Sequence, residues 1–536
     1  MATQVLSKRA RRVVDVDLGT LVENANAQYY CYLQWQNTYF ARRHGFYRIA
    51  IFGAAELPPD HPALKWAYEL GERLAQLGID IVVRAGSERS IGYQAAAGHR
   101  AGHRTDPQAK RKSTPRCINV GTSALNEPRG RSERLFDESI PTSNHFDWMG
   151  GLGSDFVSFE GGPNVAEATA GVVQRIQFQG KIPPDQVPLG LRLGSTVTRI
   201  HWVPRIICVG GAEEWRYMRT ACETFAQLGT VSVERKEHEL VQFMPKVDDV
   251  VRWAKERRRA WDEHKTARRV PEIESFEALQ RQVSRKHIAK TARQQGLLFE
   301  GLAESCIAPS DLYYCAAAYG AHHLPEDHPH MLAASVLGKG SAAMNMWAMD
   351  GSGGLDSVMG RHALGFIEER ARLDAICLCL GNSIGLPWER PADIDRDFVF
   401  SNWGGLFVRF AWFNSWAKEV RALLGGWGSA LELTSRIKLG VNRIRAGSEN
   451  PDVFGRFGSL SDRLGWIPPV TMIGSDPIWS YMKQAMQTWR DRGHIGPHEH
   501  GFVQFVGSPE EALALSSDYR RNWVQLLDRN GYTARN

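Results

Sequence analysis

The sequence predicts an α/β protein made of two parallel-sheet domains in tandem. Three strings of the first half return 262–267 positions later: Leu57–Pro62 as Leu324–Pro329, Trp215–Met218 as Trp479–Met482, and Leu240–Phe243 as Phe502–Phe505. Short apolar runs also alternate with helix-length amphipathic stretches, the pattern of a parallel sheet covered by helices on both faces. A duplication makes each half one fold, and differences between the halves then indicate where function lies.

The first copy shows the alternation element by element. Buried strands are predicted at 48–53, 79–83, 116–120, 155–159 and 205–209, because each is a short continuous apolar run. Amphipathic helices are predicted at 64–77, 165–179 and 213–228. The order strand, helix, strand indicates a doubly wound, Rossmann-like domain.

The second copy is predicted to repeat that domain, with strands at 312–316, 375–380, 421–424 and 471–473. Four segments follow from this division: an aromatic-rich extension (1–45), a first domain (46–245), a charged helical connector (246–305) and a second domain (306–536). Two related domains in one chain also predict an intramolecular pseudo-dimer.

Composition narrows the class of protein. The chain has 536 residues, 43% of them hydrophobic and 23% charged, and a net charge of +6, as in an ordinary globular protein. No apolar run approaches the roughly 18 residues of a membrane span, and the N-terminus lacks the apolar core of a secretory signal. The eight cysteines form no Cys-x-x-Cys pair, so Cys208, Cys377 and Cys379 are expected to be buried thiols. We therefore expect a cytoplasmic protein with no membrane partner.

The string Leu424–Glu432, Leu-Gly-Gly-Trp-Gly-Ser-Ala-Leu-Glu, is the strongest candidate site. It leaves a predicted strand and opens a helix, where glycines let a ligand approach the backbone and free N–H groups favour a phosphate. Ser429 adds a hydroxyl donor. Glu432 follows one helical turn after Ser429 and lies on the same face. Arg409 precedes this string in the sequence.

These residues resemble the Lonely Guy (LOG) family of nucleotide phosphoribohydrolases, often described as lysine-decarboxylase-like. That family carries Pro-Gly-Gly-x-Gly-Thr-x-x-Glu, which Gly425, Gly426, Gly428, Ser429 and Glu432 match, with Leu424 for the proline and serine for the threonine. Arg409 matches the arginine of the family's Phe-x-Arg-Lys string, although Phe410 replaces the lysine. A second glycine-rich family loop resembles Gly351, Ser352, Gly353 and Gly354, and Leu386–Glu389 resembles Leu-Pro-Phe-Glu.

The resemblance implies hydrolysis of the N-glycosidic bond of a nucleoside 5'-monophosphate, giving free base and ribose 5-phosphate. Positive charge develops on the ribose, and a carboxylate stabilises it or orients the attacking water. The implied roles are Glu432 for that carboxylate, Arg409 for positioning base or ribose, and the two glycine loops for the phosphate. No cofactor is implied. LOG proteins generally work as dimers, so a homo-oligomer is left open.

The first copy has lost most of this pattern. Its matching stretch, Glu160–Glu167, has Pro163-Asn164 in place of the Gly-Ser step, and His145 stands where Arg409 is expected. The other loop, Arg84–Arg89, keeps one glycine, and Glu88 and Glu160 would repel an anion. We expect the first copy to be non-catalytic.

Two alternatives stay open beside the hydrolase. The first is a catalytically inactive nucleotide-binding or scaffold protein of the same fold, which the altered motif favours. The second is a nucleic-acid-associated protein that uses the basic residues at 255–293, although charge alone supports it. His494, His498 and His500 have metal-like spacing, but a surface histidine loop is the simpler interpretation, and no metal is predicted. Neither copy has a Gly-x-Gly-x-x-Gly fingerprint after its first strand.

Overall fold

The computed structural model describes residues 46–105, 116–121, 135–141, 145–181, 202–231, 239–267, 312–351, 354, 356–375, 377–383, 394–399, 417–446 and 460–534. The chain divides into two compact units. The first comprises Leu33–Ser284 with Tyr481–His494, and the second comprises Met1–Tyr32, Arg285–Ser480 and Ile495–Asn536. Residues 481–494 therefore belong to the first unit, although they follow the second copy's sixth strand in the sequence.

The first unit is a seven-stranded parallel sheet with helices between its strands. The strands are β1 (Arg48–Phe52), β2 (Asp80–Val83), β3 (Cys117–Gly121), β4 (Glu138–Pro141), β5 (Asp155–Phe159), β6 (Ile206–Val209) and β7 (Val241–Met244). The helices are α1 (Pro62–Gln76), α2 (Ile91–Thr105), α3 (His145–Leu152), α4 (Pro163–Lys181), α5 (Arg216–Gln227) and α6 (Val247–Ala267). The strand order is β4-β3-β2-β1-β5-β6-β7.

The second sheet repeats that order as β11-β10-β9-β8-β12-β13-β14. Its strands are β8 (Cys315–Tyr319), β9 (Trp347–Asp350), β10 (Cys379–Ser383), β11 (Arg396–Val399), β12 (Glu419–Ala422), β13 (Val470–Ile473) and β14 (Val503–Val506). Its helices are α7 (Pro329–Ala343), α8 (Val358–Leu373), α9 (Trp427–Ala446), α10 (Leu460–Arg463), α11 (Asp476–Asp491) and α12 (Pro509–Arg529). The prediction of two Rossmann-like domains in tandem is confirmed, whereas the pseudo-dimer stays a prediction.

The repeated Asp-His-Pro phrase is a helix start. His61 precedes α1, and its ring Nδ1 accepts a hydrogen bond from the Ala63 backbone N–H at 3.3 Å. His328 precedes α7, and its Nδ1 accepts from His330 N at 3.2 Å. Proline occupies the first helical turn in both cases, where it lacks only an N–H that would have no helical partner. The repetition of this string therefore has a structural cause.

Several strand predictions in the second copy were displaced. The strand predicted at 312–316 is β8, three residues later, and the one predicted at 375–380 is β10, which begins at Cys379. β8 reads Cys-Ala-Ala-Ala-Tyr, and alanine has little intrinsic preference for strands. All five of its residues are nevertheless buried, because it is the central strand of the sheet. Tertiary position overrides local preference here.

The segment predicted as a connector begins as part of the first unit. Residues 247–267 form α6, whose Trp253 and Trp261 are buried in the first core. Three exposed arginines of α6 pair with carboxylates three or four residues away: Arg252 with Asp249, Arg258 with Asp262, and Arg259 with Glu263. Residues 268–305 lie outside the described part of the chain. The described third of the basic segment therefore has much of its charge balanced locally.

Candidate functional site

The strand order places the candidate site at the point where the sheet reverses direction. In the second unit β8 lies between β9 and β12, so the chain winds outward in opposite directions from the β8–β12 pair. Ligands of open α/β sheets bind at the carboxyl ends of the strands beside such a reversal. The turn that follows β12 contains Gly425 and Gly426, and α9 begins at the next residue, Trp427. The predicted motif therefore occupies the position that the fold favours for a ligand.

The glycine turn is tightly built. A Cβ added at Gly425 would lie 2.0 Å from Ser429 Oγ, so no larger residue fits while Ser429 keeps its place. The Leu424 carbonyl accepts from Ala321 N at 2.7 Å, and its N–H donates to His330 Nδ1 at 3.4 Å. Burial lowers the pKa of His330 to about 4, and the nearby His328 contributes, which keeps the ring neutral and able to accept. The turn is thus held by the loop that follows β8 and by α7.

The predicted site residues of α9 lie together and are buried. Ser429 is 5% exposed and Glu432 is 8% exposed. Gly428 lies in the first turn of the same helix, which runs for 20 residues. A carboxylate buried beside a glycine turn that bound an anion would repel that anion, so the position of Glu432 is informative. The structure brings Gly425, Gly426, Gly428, Ser429 and Glu432 into one site.

The second glycine loop is described in part. Gly351 follows β9 and is buried, and the Gly354 carbonyl accepts from Ser357 N at 2.8 Å. Ser357 caps α8, because its hydroxyl accepts from Gly360 N at 2.9 Å. Ser352, Gly353, Arg409, Phe410 and Leu386–Glu389 lie outside the described residues, so their predicted roles stay predictions.

Sequence reasoning missed two buried groups behind this site. His362 Nδ1 lies 3.0 Å from Asp350 Oδ2, and Cys379 Sγ donates to the same oxygen at 3.7 Å. This cluster lies directly beneath the second glycine loop, since Asp350 is the last residue of β9. Arg436 follows Glu432 by four residues on α9, and burial lowers its pKa to about 10. The spacing Ser429, Glu432, Arg436, which puts all three on one helix face, was the signal available for Arg436.

The first copy carries a different set of residues at the equivalent turn. A Cβ at Gly161 would lie 2.3 Å from Val165 Cγ2, so Val165, and not Asn164 as the sequence comparison had it, takes the place that Ser429 has in the second copy and supplies no hydroxyl. Glu160, which stands where the second copy has Leu424, is 8% exposed and its Oε1 lies 2.7 Å from His61 Nε2. Burial is the main cause that raises the pKa of Glu160; His61 and Arg492 act in the opposite direction. The expectation of a non-catalytic first copy stays a prediction.

The remaining sequence expectations concern metals, thiols and membranes. Among the described residues, which include His494, His498 and His500, no group of three or more His, Cys, Asp or Glu side chains is arranged to hold a metal ion. Cys208, Cys377 and Cys379 are buried and unpaired, as predicted, and burial raises the pKa of each thiol. Within the described parts of the chain, no helix is both long and apolar enough to span a bilayer.

Comparisons with known proteins give distant similarities. No protein-family model matches the chain, and no curated protein matches it. Among solved structures, the chain is similar to the molybdenum cofactor binding protein of the phototrophic bacterium Rippkaea orientalis, with 13% identity over 39% of this chain and 96% of that one and a TM-score of 0.24. It is also similar to a carbon monoxide dehydrogenase from Thermococcus sp. AM4, with 9% identity over 91% of this chain and a TM-score of 0.21. The chain spans 59% of the length of that dehydrogenase.

Proposed function

We propose that the second unit hydrolyses the N-glycosidic bond of a nucleoside 5'-monophosphate. The observation that carries the proposal is the position of the Gly425–Glu432 turn, at the carboxyl end of β12 where the winding of the sheet reverses. The backbone N–H groups of the first turn of α9 are suited to the 5'-phosphate. The motif resemblance to the LOG family adds the reaction type.

The chemistry assigned to the chain needs few groups. Departure of the base leaves positive charge on the ribose, and the Glu432 carboxylate stabilises that charge or orients the water that attacks the anomeric carbon. One buried carboxylate, already desolvated in the free protein, interacts more strongly with a developing cation than it would in water. Arg409 is assigned to the base or ribose on the motif alone.

The experiment incubates the protein with AMP, GMP, CMP, UMP and isopentenyl-AMP and measures released base by chromatography. We expect release from at least one nucleotide, and a fall of about 100-fold or more in kcat for Glu432→Gln, the size typical of losing one charge-stabilising group. Glu167→Gln is the matched control. It changes a buried glutamate of α4, the equivalent helix of the first copy, and should leave the rate unchanged.

One outcome would contradict the hydrolase, and another would contradict the assignment of its site to the second copy. If no nucleotide releases base, while parent and Glu432→Gln bind nucleotide equally, the chain is a nucleotide-binding protein without this activity. If Glu167→Gln abolishes release and Glu432→Gln does not, the assignment to the second copy is wrong.

A further inference from the structure

Residues 481–494, which include most of α11, pack within the first unit against α5. The ring of Tyr217 meets that of Trp489 edge-on at 5.8 Å between centroids, and the ring of Phe225 meets that of Tyr481 at 5.2 Å. Thr220 Oγ1 donates to Gln484 Oε1 at 2.9 Å. These contacts lie along α5 and bring residues 481–494 into the first unit.

The last residues of that segment lie on the first copy's glycine turn. A Cβ added at Gly162 would lie 2.9 Å from His494 Cβ, so this glycine is required where His494 crosses it. Arg492 Nη1 lies 3.9 Å from Glu160 Oε2, and Arg492 Nη2 donates to Glu214 Oε1 at 2.8 Å. Arg492 and His494 therefore cover the glycine turn that follows β5.

The internal repeat shows that the three charged residues changed together. The position of Glu160 is occupied by Leu424 in the second copy, that of Glu214 by Ile478, and that of Arg492 by Leu228 in the first. All three equivalents are apolar. A carboxylate as buried as Glu160, which is 8% exposed, is costly without a cation beside it, so replacing Arg492 alone would be unfavourable.

We infer that Glu160, Glu214 and Arg492 form a charged clasp that holds residues 481–494 over the glycine turn of the first copy. The clasp does not depend on nucleotide hydrolysis by the second copy, because all three of its residues belong to the first unit.

The experiment measures backbone hydrogen exchange of the full chain at residues 161–166 and 488–494, expressed as protection factors. We expect Arg492→Leu to lower protection at pH 7.5 by about tenfold or more, since it leaves two carboxylates facing each other. The triple variant Glu160→Leu/Glu214→Ile/Arg492→Leu, which copies Leu424, Ile478 and Leu228, should return to within about threefold of the parent. Arg490→Leu, an exposed neighbour, is the matched control and should change nothing.

Unchanged protection in Arg492→Leu would overturn the clasp, as would a triple variant that is no better protected than Arg492→Leu. If Arg492→Leu fails to fold, folding of the triple variant is itself the coupling sought, and failure of the triple variant to fold contradicts the proposal.

Discussion

The two copies agree at the amino ends of their central strands and differ at the carboxyl ends. At the amino end of β5, Tyr47 donates to Asp155 at 2.7 Å, and at the amino end of β12, Tyr314 donates to Glu419 at 3.0 Å. At the carboxyl ends the copies carry Glu160 and Leu424, and then Val165 and Ser429. The comparison teaches that the duplicated copies kept the buried pairs that hold the domain together and diverged at the carboxyl ends of the strands, the edge where ligands of this class of fold bind.

The contacts that the two copies share include a pair of tryptophan rings in each. Trp202 meets Trp261 edge-on at 5.2 Å in the first copy, and Trp466 meets Trp523 at 5.5 Å in the second. The cation beside the buried carboxylate differs, however. Arg257 of α6 pairs with Asp155, whereas Arg421 of β12 itself pairs with Glu419. Each buried carboxylate therefore has an arginine partner, which a helix supplies in the first copy and the strand itself supplies in the second.

The largest expected effect comes from removing those buried carboxylates. Glu419→Ala leaves Arg421, whose side chain is 1% exposed, without its anion, and should cost about 3–5 kcal/mol of unfolding free energy. Asp155→Ala should cost less, toward about 3 kcal/mol, because Arg257 is 20% exposed and regains water. Urea denaturation of each variant against the parent measures both values. A larger loss in Asp155→Ala than in Glu419→Ala would break the proposed difference between the copies.

A second comparison concerns acid stability. His99 is fully buried in the first copy, where the second has Phe366, and burial lowers the pKa of His99 to about 4. Because the folded pKa lies below that of the unfolded chain, the folded state is favoured above pH 6.5 and loses about 3 kcal/mol as the pH falls to 4. His99→Phe should remove this loss.

The measurement is the free energy of unfolding of parent and His99→Phe at several pH values between 7 and 4. His330→Ala, which copies Ala63, makes the matched test in the second copy, because burial also lowers the pKa of His330 to about 4. As the pH falls, the parent should lose free energy of unfolding that neither variant loses, so the stability of each variant relative to the parent should rise. A difference that does not change with pH would show that neither histidine is linked to folding.

The fold class was predictable because the repeated strings and the alternating apolar runs extend over whole domains, so a few irregular elements do not hide them. It misplaced β8 because a strand of three alanines carries no apolar signal of its own, although its central position buries it. The edge strands β7 and β14 were noticed as repeated strings but not as strands, since each is four residues long and partly exposed. Position in the sheet, which a local pattern does not encode, decided these cases.

The site was predictable to the extent that its residues are contiguous. Gly425–Glu432 lies on one turn and one helix, so spacing alone places its members together. The clasp joins Glu160 and Glu214 to Arg492, which lies 278 positions after Glu214. Such a contact depends on the residues against which 481–494 pack in the folded protein, and no local sequence pattern encodes that. The repeat held the relevant signal in the apolar equivalents Leu424, Ile478 and Leu228.

The smallest expected effect tests how closely the two cores correspond. Trp215 Nε1 donates to the Val209 carbonyl at 2.9 Å, and Trp479 Nε1 donates to the Ile473 carbonyl at 3.0 Å. Replacing either tryptophan with phenylalanine removes one buried hydrogen bond and part of a buried ring, and should cost about 2 kcal/mol, equally in both copies. Thermal or urea unfolding measures the two losses, and the double variant should lose their sum because the bonds share no partner. Unequal losses would mean that the copies retain the same contacts with different packing around them, which would limit how far any residue of one copy can serve as a control for the other.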